Sequence, residues 1–233
     1  MSLRGKVVAI TRPRGQAEEL AEIVAERGGI PYIAHTIEIG PVGDPSVIKE
    51  FADRIVAGWV DYVVFMSRNA VTYLLKALDE LGLTGEVAKA FGRVKVVAVG
   101  PRTRKELEDR GLRVHFTPSD YSSEGVVRLL QERGIRGKSI VLLRARSASR
   151  HLKRELEKGL AQVLEVPTYE SSEPTDKTGV VKLMDDLLGG GIDLIVFTSS
   201  ATAQNLFRIA GERRLSGKLG AWLRDRVVVA AIG

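Results

Sequence analysis

Cysteine is absent from the 233-residue chain. Disulfides, thiolate nucleophiles and zinc–thiolate sites are therefore excluded. Histidine is scarce: His35, His115 and His151 lie far apart, and none stands at a metal-ligand spacing such as HxxxH. Aromatic residues make up 6% of the chain. None interleaves with a basic stripe, so the stacking platform of a single-strand nucleic-acid binder is missing. No apolar run approaches the roughly 18 residues of a membrane span. Met1-Ser2-Leu3-Arg4-Gly5-Lys6 leads straight into a strand pattern without a signal-peptide core. A cytoplasmic protein is expected. No GxGxxG follows any apolar run and no serine sits in a glycine-flanked elbow, which argues against a dinucleotide site and a Ser-His-Asp hydrolase. Gly137-Lys138-Ser139 is no phosphate loop, because Glu132 stands where its first glycine belongs.

What the chain does contain is a regular alternation. Hydrophobic residues are 44% and charged residues 27%, the profile of a globular protein. Lys+Arg number 35 against 29 Asp+Glu, a net charge of +6. Such a balance suits nucleic acid, anionic lipid or an acidic small molecule. Short β-branched apolar runs at 7–10, 62–65, 96–99, 140–143, 194–197 and 227–230 read as strands buried on both faces of a parallel sheet. Amphipathic stretches such as 17–27, 70–81, 104–110, 124–133, 149–158 and 203–211 separate them, and a further strand is expected at 112–116. Strands alternating with helices imply an α/β fold.

The pattern also repeats. Gly5-Lys6-Val7-Val8-Ala9-Ile10 lies over Gly137-Lys138-Ser139-Ile140-Val141-Leu142, an offset of 132 residues. Asp61-Tyr62-Val63-Val64-Phe65-Met66-Ser67 lies over Asp193-Leu194-Ile195-Val196-Phe197-Thr198-Ser199 at the same offset, and Val97-Ala98-Val99-Gly100 over Ala230-Ala231-Ile232-Gly233 one residue further on. Three blocks in register point to an internal duplication giving two similar, flavodoxin-like parallel-sheet domains. The first copy continues past Gly100 where the second stops at Gly233, so about 35 further residues are expected beyond that point. Linker-like segments at 38–45 and 170–178 occupy equivalent positions. That equivalence predicts domains that are not the copies themselves. Residues 42–168 would form one domain and 1–35 with 173–233 the other, with 36–41 and 169–172 pairing as a two-stranded connecting ladder.

In open parallel sheets, ligands bind beyond the carboxyl ends of the strands. Those positions hold Thr11-Arg12, Ser67-Arg68-Asn69, Gly100-Pro101-Arg102-Thr103, Arg144-Ala145-Arg146-Ser147 and Thr198-Ser199-Ser200. Each precedes a helical stretch whose N-terminus favours an anion. Taken singly, each Ser or Thr is a helix cap. Five such ends together describe a cleft for carboxylates or phosphates. Tyr169, on the expected crossing, is either a core aromatic or a phenol that donates a proton or hydrogen bond into the interdomain cleft.

Several short motifs recur in a telling order. They are Thr11-Arg12-Pro13, Phe65-Met66-Ser67-Arg68-Asn69-Ala70-Val71, Val99-Gly100-Pro101-Arg102-Thr103, Ser122-Ser123-Glu124-Gly125, Pro167-Thr168-Tyr169 and Phe197-Thr198-Ser199. In this order and spacing the chain resembles the uroporphyrinogen-III synthase family over nearly its whole length. The resemblance implies two α/β domains joined by a two-stranded ladder. It also implies a cofactor-free lyase acting on hydroxymethylbilane, a linear tetrapyrrole with eight carboxylates. Such an enzyme removes the terminal hydroxyl as water and closes the ring with inversion of ring D, through a spiro intermediate. Haem, sirohaem or cobalamin biosynthesis is the implied setting.

By the same resemblance Tyr169 assists departure of the hydroxyl, and Ser67, Asn69, Thr103 and Ser199 hold acetate and propionate groups. Arg12 and Arg144 join them by strand-end position. A monomer is expected, with neither nucleic acid nor membrane as partner. Two other readings stand beside this one. The chain could be a non-catalytic paralogue that binds a tetrapyrrole or other polyanion in the cleft, or a nucleic-acid-associated α/β protein that uses the +6 charge.

Overall fold

The β-branched runs become strands and the amphipathic stretches become helices. The computed structural model describes residues 2–231. Its strands are β1 (Val7–Ile10), β2 (Ile30–Ile33), β3 (Glu38–Pro41), β4 (Tyr62–Phe65), β5 (Lys95–Ala98), β6 (Ser139–Ala145), β7 (Gln162–Ser172), β8 (Leu194–Phe197) and β9 (Val228–Ala231). The helices are α1 (Glu18–Glu26), α2 (Ser46–Val56), α3 (Arg68–Glu80), α4 (Thr84–Phe91), α5 (Pro101–Asp109), α6 (Ser123–Gln131), α7 (His151–Lys158), α8 (Thr178–Leu188), α9 (Ser200–Glu212) and α10 (Ser216–Asp225). Among the described residues, no helix is long and apolar enough to cross a membrane.

The chain divides into a terminal unit, Met1–Ile39 with Ser172–Gly233, and a central unit, Gly40–Ser171. The terminal unit carries a sheet in the order β2-β1-β8-β9, with every pair parallel. In the central unit the order is β3-β7-β6-β4-β5, and the pairs β7-β6, β6-β4 and β4-β5 are parallel. Moved along by the repeat offset, β1 falls on β6, β2 on β7, and β4 and β5 on β8 and β9. The two four-strand orders then coincide. Each of these four-strand sets therefore takes two strands from each half of the sequence, and β3 is added at the edge of the central sheet. Ile232 and Gly233, on which the last repeat block and the expected continuation turn, lie outside the described residues.

Matching aspartates stitch the halves together at the strand starts. Asp61 accepts the Ser139 N–H and the Lys138 ammonium, both at 2.9 Å. Asp193 accepts the Val7 N–H at 2.8 Å and the Lys6 ammonium at 2.7 Å. In the central unit, alternate residues of each strand face opposite ways. Val63, Phe65, Val141, Leu143 and Val166 pack against α2, α3, α4 and α5. Tyr62, Val64, Ile140 and Leu142 pack against α6 and α7. In the terminal unit α8, α9 and α10 cover one face, and α1 the other.

Some elements differ from the sequence reading. Residues 112–116 do not form a strand; only the bridge between Val97 and Phe116 is present. The physical reason is local, because the Val96 N–H donates to the His115 ring at 3.1 Å instead of to a ladder carbonyl. The helices α2, α4, α8 and α10 were not anticipated. Their first turns carry polar or small residues that read as loop, while Ile48, Phe51 and Ile55 show the buried stripe of α2.

Candidate functional site

Strand β4 ends at Phe65, and two residues later Ser67 takes an extended backbone and caps α3. Its Oγ accepts the Ala70 N–H at 3.1 Å, satisfying one of the orphan donors of the first turn. The Ser67 proton goes elsewhere: Oγ donates to the Tyr169 hydroxyl oxygen at 3.0 Å. Tyr169 reaches this point through an irregularity in β7. Ladder partners run regularly from Ser139–Gln162 to Arg144–Pro167 and then skip Thr168, so that Ala145 faces Tyr169. The extra residue reverses the facing of everything after it. Val163 packs on the α7 side of the sheet, whereas Tyr169 packs on the α3 side. There its ring stacks on Tyr73 of α3, with centroids 6.0 Å apart and planes at 25°. Burial pushes the Tyr73 phenol above its ordinary value.

The other expected residues are distributed more widely. Asn69 is half-buried in the first turn of α3, and Thr103 is buried in the first turn of α5, which Gly100 and Pro101 begin. Arg144 points to the opposite face of the sheet. It is only 6% exposed, with Nη1 on Glu165 at 3.0 Å and Nη2 on the Ser149 carbonyl at 2.8 Å. Arg12 and Ser199 belong to the terminal unit. Arg12 offers its backbone carbonyl to His35 Nδ1 at 2.6 Å. Ser199 caps α9 through the Thr202 N–H at 3.4 Å. It occupies the repeat position of Ser67, but the position matching Tyr169 is Ile37. The hydroxyl pair thus occurs in the central unit without a counterpart at the matching positions of the terminal one.

Comparison with known proteins shows the family. The family model described as uroporphyrinogen-III synthase HemD matches residues 18–233. The chain belongs to the uroporphyrinogen-III synthase family. It is 37% identical over 226 residues to a Methanothermobacter thermautotrophicus protein provisionally named uroporphyrinogen-III synthase, covering 97% of this chain and 85% of that one. It is 28% identical over 231 residues to the uroporphyrinogen-III synthase of Chlorobaculum parvum, covering 98% and 85%. In fold it resembles the crystal structure of a mutant uroporphyrinogen III synthase from Thermus thermophilus, with a TM-score of 0.65, 21% identity, and coverage of 98% of this chain and 85% of that one. The family is one of lyases in tetrapyrrole biosynthesis.

In this family member, sequence reasoning overlooked Tyr73, the Thr168 bulge and a buried polar knot in the terminal unit. Tyr73 sits on a helix face that reads as core. The bulge did leave a signal, since Pro167 has no N–H for the ladder and prolines inside sheets mark edges or bulges. In the knot, Thr36 Oγ1 donates to the Thr202 carbonyl at 2.9 Å, and Asn205 Nδ2 donates to the Thr36 carbonyl at 3.0 Å. Thr11 Oγ1 donates to the Val196 carbonyl at 2.8 Å. Thr36 and Asn205 tie the segment after β2 to α9, and Thr11 ties the end of β1 to β8.

Proposed function

We propose that the chain carries out the family's reaction, converting hydroxymethylbilane to uroporphyrinogen III and water with ring D inverted. The observation that carries this reading is the Ser67–Tyr169 hydrogen bond. Ser67 holds the Tyr169 phenol in place through this bond, and the phenol can give its proton to a substrate oxygen. Tyr169 protonates the terminal hydroxyl, the C–O bond breaks, and water departs. The adjoining pyrrole nitrogen supplies the electron pair that stabilises the carbon left behind. The substituted α-carbon of ring D attacks that carbon and forms the spiro centre. Its old bridge bond then breaks and re-forms at the other α-position. The proton lost there as the pyrrole regains aromaticity returns to Tyr169 Oη.

Ser67 steadies the negative charge that grows on Tyr169 Oη, and the N-terminus of α3 stands behind it through the Ala70 N–H. General acid help of this kind is worth about a hundredfold or more. Positioning is the larger demand, because the unassisted bilane closes to the uninverted isomer. We assign Asn69 and Thr103 in the central unit, and Arg12 and Ser199 in the terminal unit, to substrate carboxylates. All four stand at or just after strand ends, where a helix begins or follows, and the net charge of +6 suits an octacarboxylate. The deciding experiment supplies hydroxymethylbilane to the protein and separates the porphyrin isomers after oxidation. Type III product is expected. Type I alone would overturn the proposal.

A further inference from the structure

The α7 side of the central sheet carries a concavity, on the face opposite the Ser67–Tyr169 pair. It has a volume of about 330 Å³ and is formed by the end of β6, the loop after it, the first turn of α7 and the middle of β7. Four cationic side chains line it, Arg144, Arg146, Arg150 and Lys153, against the single carboxylate of Glu165. That carboxylate is already engaged by Arg144 Nη1. Arg144 is more than nine-tenths buried, yet its Nε has no acceptor. Leaving such a donor unpaired is costly. Arg146 pairs outward with Glu170 at 3.0 Å and Lys153 pairs loosely with Glu157 at 3.7 Å. Arg150 makes no ion pair among the described residues. Arg150 also stands as the N-cap of α7 without a side-chain cap of its own, and the neighbouring Ser149 Oγ accepts the His151 N–H at 3.2 Å.

From the surplus of cations and the unsatisfied buried guanidinium nitrogen, we infer that this pocket binds a phosphate-bearing small molecule. Its oxyanion would meet Arg150, Lys153 and the first turn of α7, with the Arg144 guanidinium beneath. Val163, Leu164 and Pro167 give the remaining space an apolar wall for an organic remainder. A chain-wide excess of positive charge does not explain the site, since the burial of Arg144 and the gap at its Nε are local. The inference is independent of the proposed reaction, because the bulge at Thr168 puts Tyr169 on the other face of the sheet.

The test titrates the full chain with inorganic phosphate by calorimetry at constant ionic strength, beside chloride and citrate. Saturable phosphate binding is expected, together with a phosphate-dependent rise in Tm. The double substitution Arg150→Gln with Lys153→Gln changes two side chains outside the packed core. It should weaken phosphate at least about tenfold while leaving the phosphate-free Tm in place. Tyr169→Phe should bind phosphate as the parent does. Phosphate that binds no better than chloride overturns the inference, as does binding unchanged in the double variant. A preference for citrate over phosphate overturns it too, by pointing to a polycarboxylate ligand.

Discussion

The Ser67 hydroxyl is held 3.0 Å from the Tyr169 hydroxyl although 102 residues separate them in the chain. Ser67 accepts from α3 and is hydrogen-bonded to Tyr169, so the phenol is fixed beside the start of α3. Tyr169→Phe should lower turnover about a hundredfold without lowering Tm, because the ring and its stack on Tyr73 survive. Ser67→Ala should cost activity and also about 1 kcal/mol of stability, since it removes the cap of α3. Turnover assays beside thermal melts separate the two. An unchanged rate for Tyr169→Phe would remove Tyr169 from the mechanism.

Tyr73 holds the Tyr169 ring by stacking. A stack of this kind is worth about 0.5–1.5 kcal/mol. Tyr73→Leu should therefore lower kcat by about threefold to tenfold with KM little changed, because the phenol loses its fixed orientation. Tyr73→Phe keeps the ring and should restore most of the rate. Steady-state kinetics on both variants provide the check; equal losses in the two would place the effect in the Tyr73 hydroxyl instead.

Acid stability should depend on Asp61 and Asp193. Burial works against ionisation of Asp61, but the Ser139 N–H and the Lys138 ammonium outweigh it and hold the carboxyl below its ordinary value. The Lys6 ammonium and the Val7 N–H do the same for Asp193. With native values depressed, the unfolded chain binds more protons in the window below about pH 4. The stability these groups contribute is thus complete above that window and is lost as pH falls through the native values. Asp61→Asn with Asp193→Asn should flatten the fall of Tm between about pH 5 and pH 2. A slope equal to that of the parent would show that other carboxylates govern acid unfolding.

The knot in the terminal unit makes a prediction about stability alone. Asn205 Nδ2 donates to the Thr36 and Ser172 carbonyls at 3.0 and 3.3 Å from a buried position. Asn205→Ala leaves both acceptors without this donor and should cost about 1–3 kcal/mol in urea unfolding. Asn205→Asp keeps the size but turns a donor into an acceptor facing two carbonyls, so its loss should be greater still. A loss below about 0.5 kcal/mol in both would mean that solvent reaches the knot.

The architecture was legible because strands buried on both faces leave continuous apolar runs. The 62–65 and 140–143 runs are wholly buried and lie side by side in one sheet. The repeat offset even anticipated which strands hold equivalent places. Ser67 was legible too, since a hydroxyl between a strand and a helix is a cap signal. The expected strand at 112–116 was not realised, because a ring nitrogen of His115 competes with the backbone for the Val96 N–H. Competition of this kind is decided by side-chain geometry rather than by residue type.

Arg144 shows most clearly where residue order runs out. It stands at a strand end like Ser67, and nothing in its neighbours says which way it points. Only the packed sheet shows it turned towards α7 and locked to Glu165. Tyr169 is the converse case. Its two-residue alternation from Val163 would aim it at α7 as well, and one extra residue at Thr168 sends it to Ser67 and Tyr73 instead. Residue patterning, through burial and its period, settled the α/β class, the repeated strands and the chemistry available at the strand tips. The tertiary structure settled which of those tips meet, because a strand's facing is a property of register, and register is set by the strand alongside.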